Sequence, residues 1–75
     1  MTRRTFEREM KKAKMFAYLG DRADYWHGYQ WGLRRAYHGE AFGTEGERDL
    51  WMSLADEVDE SRRECGLGHR DGLAV

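Results

Sequence analysis

Apolar residues recur at helical spacing in the first part of the chain. Four of them follow the i, i+4, i+7, i+11 pattern of a single helix face: Phe6, Met10, Ala13 and Ala17. This pattern predicts a first helix over residues 3–19. Gly20 follows directly and is expected to close the helix, because glycine readily adopts the left-handed backbone conformation found at helix ends.

A second helix is predicted from Arg22 to about His38, with Asp21 as its N-cap and Gly39 just past its carboxyl end. One face of this helix carries aromatic, small and aliphatic residues: Tyr25, Tyr29, Gly32, Leu33 and Ala36. We interpret that face as part of the core, because aromatic side chains at helical spacing normally bury their surface.

The opposite face of the second helix places a tryptophan among polar side chains. His27 lies four residues before Trp31, and two arginines lie three and four residues after it, spacings at which side chains touch on a helix. Tryptophan and arginine are also enriched in binding hot spots. The sequence therefore indicates a binding patch made of Trp31, Arg34, Arg35 and His38, with His27 at its edge. The alternative is that another segment covers Trp31 as a second core face.

The stretch Thr44-Glu45-Gly46-Glu47 matches a capping box, which predicts the start of a third helix. That helix is expected to turn three residues inward, with a fourth one turn further on: Leu50, Trp51, Leu54 and Val58. Phe42, in the glycine-flanked loop before it, is expected to plug the core.

A break is expected within residues 56–59, where an aspartate would cap a fourth helix ending at Leu73. Each of the three glycines in this segment lowers helix stability by about 1 kcal/mol relative to alanine. The segment also echoes the second helix, since residues 28–33 and 68–73 both read glycine, ring, two residues, glycine, leucine. The echo suggests two helices that cross through their glycine rows.

These elements predict an all-α fold, a compact bundle of three to four short helices forming a single domain over residues 1–75. The expected core is mainly aromatic and includes Phe6, Phe16, Tyr25, Tyr29, Trp51 and Leu54.

Charge is segregated along the chain, although the formal net charge is only −1. Residues 1–22 hold seven basic and three acidic residues, whereas residues 39–64 hold three basic and nine acidic ones. Packing of the acidic helices near the basic helix would partly neutralise this asymmetry. The alternative is an acidic helix that imitates a phosphate backbone and occupies a basic groove on a partner. Its candidate residues are Glu45, Asp49, Glu57 and Glu60, together with Asp56, Asp59 and Glu64.

Motifs for catalysis and cofactor binding are absent from the sequence. The single cysteine, Cys65, forms no intrachain disulfide, and neither it nor the histidines have the spacing of a zinc site. There is no phosphate-binding loop and no nucleophile elbow. We therefore expect no enzyme activity, no cofactor and no metal. Without a signal peptide or a membrane-spanning run, a cytoplasmic location is expected, in the host cytoplasm if the chain is phage-encoded.

The pattern Gly28-Tyr29-x-x-Gly32-Leu33-Arg34-Arg35, followed by Phe42-Gly43-Thr44-x-x-Glu47, resembles short uncharacterised proteins of bacteria and prophages. In size and general character the chain is also similar to anti-CRISPR proteins, which bind and block bacterial immune complexes. The resemblance implies a non-enzymatic binding protein that blocks a bacterial partner by covering one of its surfaces.

Two other functions stay open at the level of sequence. A small DNA-associated transcriptional regulator would use the basic first helix with Arg34 and Arg35, although a pI near 6.3 is low for a dedicated nucleic-acid-binding domain. A homodimeric structural module would join two copies through the glycine face of the second helix.

Overall fold

The computed structural model describes the whole chain, Met1–Val75, and confirms an all-α bundle. It has four α-helices: α1 (Arg3–Leu19), α2 (Ala23–His38), α3 (Glu45–Leu54) and α4 (Glu60–Leu73). A short 3₁₀ segment, Gly39–Phe42, links α2 to α3. The bounds of α1 and the existence of a fourth helix agree with the sequence-based predictions.

Three of the four α-helices begin at a residue whose side chain caps the helix. The hydroxyl of Thr2 accepts from the Thr5 N–H at 3.1 Å, and that of Thr44 accepts from the Glu47 N–H at 3.2 Å. Asp59 caps α4 by accepting from the Arg62 N–H at 2.9 Å. These bonds satisfy amide groups that have no partner within their own helix.

The expectation that Asp21 caps α2 is wrong. The position before α2 belongs to Arg22, which has a left-handed backbone (φ 57°) and makes no side-chain capping bond. Its guanidinium instead pairs with Glu64 of α4 at 2.8 Å and lies over the Tyr25 ring, 4.1 Å from the centroid. These long-range contacts hold Arg22 in the turn that follows Gly20, and α2 begins one residue later, at Ala23.

Helix α2 is the centre of the fold. It packs against α1 on one side and α4 on the other, and α4 in turn packs against α3. The resulting molecule is flat, measuring 35 × 31 × 15 Å. Because α1 and α3 lie at opposite ends of this order, each has an unpartnered side that faces solvent.

Glycine rows of α2 and α4 bring the two backbones into direct contact, as the sequence echo suggests. A Cβ atom on Gly28 would overlap the carbonyl oxygen of Cys65, and one on Gly68 would overlap that of Tyr25. Gly32 and Gly72 stand against His69 and Tyr29 in the same way. The glycine face is therefore used within one chain and is not free to join two copies.

The buried core lies between α1 and α2. It consists of Met10, Ala13, Tyr29 and Leu33, with Phe6, Tyr25 and Trp26 packed against it. Phe16 adds to this layer by stacking on Trp26, with centroids 4.9 Å apart.

The prediction that α3 contributes to the same core is wrong. Trp51 and Leu54 are half-buried outside the core cluster, while Leu50 and Val58 are 68% and 92% exposed. Helix α3 packs mainly on α4, at the edge of the molecule, and meets α2 through the rings of Trp51 and Trp31. Phe42 likewise lies at the surface rather than in the core.

The expected partial neutralisation of the basic segment by the acidic one is limited to a single ion pair. No ion pair connects α1 with α3 or α4, and the one pair between distant segments is Arg22–Glu64. Most charges of the two segments are therefore not paired with each other.

Candidate functional site

Trp31 is the centre of a surface cluster of aromatic rings. Its side chain is 43% exposed, so neither α1 nor the carboxyl-terminal segment covers it as a second core face. Phe42 of the 3₁₀ segment lies 5.1 Å from it and Trp51 of α3 lies 6.4 Å from it, measured between ring centroids. Three separate elements thus bring three rings together at one edge of the molecule.

These rings line a cleft of about 170 Å³ between α2, α3 and α4. The full lining is Trp31, Arg35, Phe42, Gly43, Glu47, Arg48, Trp51 and His69. For comparison, a cavity of about 150 Å³ in a protein core accommodates benzene. The cleft, which is open to solvent on one side, has room for one side chain of a partner.

Two arginines next to Trp31 occupy different positions. The Arg34 guanidinium lies over the rings of Trp31 and Phe42, 5.5 and 5.6 Å from their centroids, a favourable cation–π distance. Arg35 is half-buried and enters the cleft, yet no carboxylate lies within ion-pair distance of it. Its Nε is fully buried and has no hydrogen-bond partner.

His69 forms an inner wall of the cleft and is the least expected member of it. Its side chain is 2% exposed and stacks on Trp51, with centroids 5.0 Å apart and planes 13° from parallel. Its Nδ1 has no hydrogen-bond partner. Burial, together with the positive charges of Arg35 and Arg48, lowers the pKa of His69 to about 4, so the imidazole is neutral at pH 7.

His38 belongs to a second surface feature, although its ring also lies 5.8 Å from that of Phe42, measured between centroids. It packs edge-on against Phe6, with centroids 5.4 Å apart, and opens onto a groove between α1 and α2. The groove is lined by Phe6, Glu7, Met10, Lys11, Lys14, Arg34 and His38. Since Arg34 contacts both features, it connects the basic groove to the aromatic cluster.

The remaining predicted site residues do not form one surface with Trp31. His27 is exposed and has no ring or hydrogen-bonded neighbour, although it lies one turn from Trp31. Glu45 and Asp49 are exposed on α3, whereas Glu60 begins α4 and Glu57 lies in the link, 3.8 Å from Arg62. The acidic residues are thus divided between two helices and a turn, and not displayed by a single helix.

Sequence reasoning missed the members of the cleft that come from outside α2: Phe42, Glu47, Arg48, Trp51 and His69. Helical spacing within α2 finds Trp31 and its arginines, but it holds no information about which side chains of α3 and α4 face them. The glycine echo holds part of the missing signal, because it places His69 beside the row that crosses α2.

Metal and thiol chemistry receive no support from side-chain geometry. No three His, Cys, Asp or Glu side chains come together as a metal-binding group. Burial raises the pKa of the Cys65 thiol, which disfavours the reactive thiolate. None of the helices combines the length and apolar character required to cross a bilayer.

No protein-family model matches this chain, and neither curated proteins nor solved structures provide a significant match. The cleft itself is therefore the basis for inferring a function.

Proposed function

We propose that this chain is a small binding protein that recognises a protein partner through the Trp31 cleft. One observation supports the proposal most directly: an exposed tryptophan is surrounded by two further rings and two arginines in a concave site. Tryptophan and arginine dominate binding hot spots, which cluster in pockets that become dry when a partner binds. Folding alone does not account for this arrangement, because the buried core lies on the other side of α2.

The partner, in this proposal, is a bacterial protein whose surface becomes blocked by the bound chain, as in anti-defence proteins of the anti-CRISPR kind. The bacterial setting is inferred from the resemblance of the Gly28–Glu47 pattern to short bacterial and prophage proteins. Glu47 lines the cleft, and the exposed acidic residues of α3 would contact basic groups of the partner at the rim of the interface. Such rim charges mainly accelerate association and select the partner.

The test uses Trp31→Ala beside Tyr18→Ala as a matched control. Tyr18 is 89% exposed and lies on α1, away from the cleft, so its loss removes an aromatic surface residue without touching the site. Both variants and the original chain are used to capture partners from bacterial lysate, and the captured protein is then purified and titrated by calorimetry.

A stoichiometric complex is expected with the original chain and with Tyr18→Ala. Trp31→Ala is expected to weaken it by at least about 2 kcal/mol, or roughly thirtyfold in Kd, as for a hot-spot residue. Recovery of chaperones alone, or equal binding by Trp31→Ala, would refute the proposed site.

A DNA-associated regulator is the second candidate, and the groove containing Lys11, Lys14 and Arg34 favours it. Phosphate contacts by these side chains would make duplex binding fall steeply as salt is raised. Titration of duplex DNA at several salt concentrations separates the two functions. A binding protein of the proposed kind shows no such salt-dependent affinity for DNA.

A further inference from the structure

The Arg35 side chain carries a charge that has no ion-pair partner in the protein. It is half-buried among rings, its Nε is fully buried without a partner, and no carboxylate approaches its guanidinium within 4 Å. Buried charges in proteins are normally paired, because desolvation of an unpaired ion is costly. A second unpartnered polar atom, the Nδ1 of the almost fully buried His69, lines the same cleft.

From this arrangement we infer that the Trp31 cleft is a carboxylate-binding site, which takes a single acidic group of the partner against Arg35. The inference deepens the proposed function, because it names the chemistry that the cleft recognises. The carboxylate belongs either to an aspartate or glutamate side chain or to the end of a polypeptide chain, and both present the same planar anion. Arginine binds that group with two parallel hydrogen bonds.

The charges that line the cleft match an anion of charge −1. Arg35 and Arg48 are positive, Glu47 is negative and His69 is neutral at pH 7, which leaves a net charge of +1. The nearest carboxylate to Arg48 is that of Asp49, 3.9 Å away and exposed to solvent, so the pairing is weak. A phosphate dianion would exceed this charge, and Glu47 would repel it more strongly than it repels a carboxylate.

The size and the walls of the cleft fit an acidic side chain better than a nucleotide. A volume of about 170 Å³ holds one side chain, and the rings of Trp31 and Trp51 would cover its apolar stem. Their centroids are 6.4 Å apart, which is too close for a base to be sandwiched between them, since each stacked layer takes about 3.5 Å. Exclusion of water by the rings would also strengthen the ion pair.

Glu47 is the internal competitor for Arg35. Its carboxylate and the Arg35 stem both lie beside Gly43, so a rotamer change would bring the two charges closer. Glu47→Gln removes the competing charge and keeps the shape of the side chain. The variant is expected to bind an external carboxylate several-fold more tightly than the original chain does.

Nuclear magnetic resonance titration of the intact chain tests the inference without a known partner. The probes are acetyl-glutamate amide, which presents a side-chain carboxylate, and acetyl-glutamine with a free terminal carboxylate. Acetyl-glutamine amide is the uncharged control, and inorganic phosphate is the competing anion. The readouts are the Arg35 Nε–H and the indole N–H resonances of Trp31 and Trp51.

Saturable shifts of these resonances are expected with one or both carboxylate probes, and the stronger probe identifies the source of the anion. Arg35→Gln is expected to abolish them, and Arg4→Gln, at an exposed position of α1 away from the cleft, to preserve them. If Arg35→Gln does not fold, two other variants test the inference. Arg48→Gln is expected to bind the carboxylate probes more weakly, and Glu47→Gln is expected to bind them more tightly.

Three results would overturn the inference. Acetyl-glutamine amide could cause shifts equal to those of the carboxylate probes, phosphate could cause larger ones, or no shifts could occur in either the original chain or Glu47→Gln. Self-association of the chain that accounts for the shifts at the concentrations used would also overturn the inference. Failure here leaves partner capture through Trp31 intact, whereas loss of partner capture with intact carboxylate binding contradicts only the proposed function.

Discussion

The α2–α4 crossing and the Trp31 cleft lie side by side but are built in opposite ways. At the crossing, glycines remove all side-chain bulk, and two regular helix backbones touch directly. In the cleft, the same two helices and α3 contribute large rings and charged groups that leave a space of about 170 Å³. His69 belongs to both regions, since its carbonyl faces Gly32 and its imidazole lines the cleft.

The two regions also differ in whether their polar groups have hydrogen-bond partners. Both helices of the crossing keep their regular internal hydrogen bonds, and Tyr25 joins them through a 2.5 Å bond to Asp71. The only two buried side-chain polar atoms without partners, Arg35 Nε and His69 Nδ1, both belong to cleft residues. An unsatisfied polar group lowers stability, so its concentration in one concave place points to a role outside folding.

A methyl group placed in the crossing is expected to have the largest effect on folding. In Gly68→Ala the new Cβ meets the carbonyl oxygen of Tyr25, which is backbone and cannot rotate away. The free energy of unfolding should fall by at least about 3 kcal/mol, the upper part of the range for overpacking. A domain of this size has only about 4–11 kcal/mol in total, so the variant would keep about 1–8 kcal/mol of it.

Gly46→Ala is the matched control, and urea unfolding followed by circular dichroism is the measurement. Gly46 lies in the first turn of α3 with open surroundings and ordinary helical backbone angles. Alanine there should raise stability by up to about 1 kcal/mol, because glycine is the poorer helix former. Equal effects of the two substitutions would show that α2 and α4 do not cross as closely as described.

In the cleft, His69 is expected to make the free energy of unfolding fall as the pH is lowered. The pKa of the buried imidazole is about 4, whereas the unfolded value is 6.5. Between these values the unfolded chain binds a proton that the folded chain does not, so stability falls as the pH is lowered. The loss over the whole window is about 3 kcal/mol.

His69→Phe keeps a ring that can stack on Trp51 but has no titrating group. Its unfolding free energy should be nearly flat between pH 6.5 and pH 4.5, where Glu9, whose pKa is lowered by hydrogen bonding to Lys12, is still ionised. Identical pH slopes for the variant and the original chain would mean that His69 is solvated in the folded state.

The two regions also differ in how far the sequence predicts them. The glycine rows repeat at a fixed spacing, and residues 28–33 and 68–73 can be matched position by position from the sequence alone. The caps of α1, α3 and α4 are equally local, because each depends on residues three apart. Local rules of this kind also indicated Trp31 with its neighbouring arginines.

The cleft as a whole could not be predicted, because it depends on which way α3 faces. The apolar residues of α3 suggested that Leu50, Trp51 and Leu54 all point inward, but α3 covers only an edge of α4. With no second helix above it, Trp51 packs on His69 and toward Trp31 instead of entering the α1–α2 core. The order of helices in a flat molecule is a tertiary property that no single period in the sequence encodes.

The hydrogen bond between Tyr25 and Asp71 tests whether polar side chains add to the stability of the crossing. Burial and the neighbouring carboxylate raise the pKa of Tyr25 to about 12, which spectrophotometric titration of the tyrosines can detect. Tyr25→Phe should lower the free energy of unfolding by about 1.5 kcal/mol, as for a bond to a charged acceptor. Tyr18→Phe, on an exposed residue, should change neither stability nor the part of the titration that belongs to Tyr25.

Arg35→Met is expected to have the smallest effect, and in the opposite direction. Methionine fills most of the space of the arginine stem and removes a half-buried charge that has no partner in the protein. Stability should stay within about 0.5 kcal/mol of the original or rise by up to about 1 kcal/mol, because no buried acceptor is left unpaired. Urea unfolding measures the change, and Arg22→Met, which breaks the pair with Glu64, should instead be neutral or destabilising.

The sign of the Arg35→Met result decides which region Arg35 belongs to. A large loss of stability would mean that the guanidinium supports the fold through contacts like those at the crossing, and the carboxylate site would lose its main argument. Unchanged or increased stability together with lost carboxylate binding is the behaviour of a functional residue kept at a cost to folding.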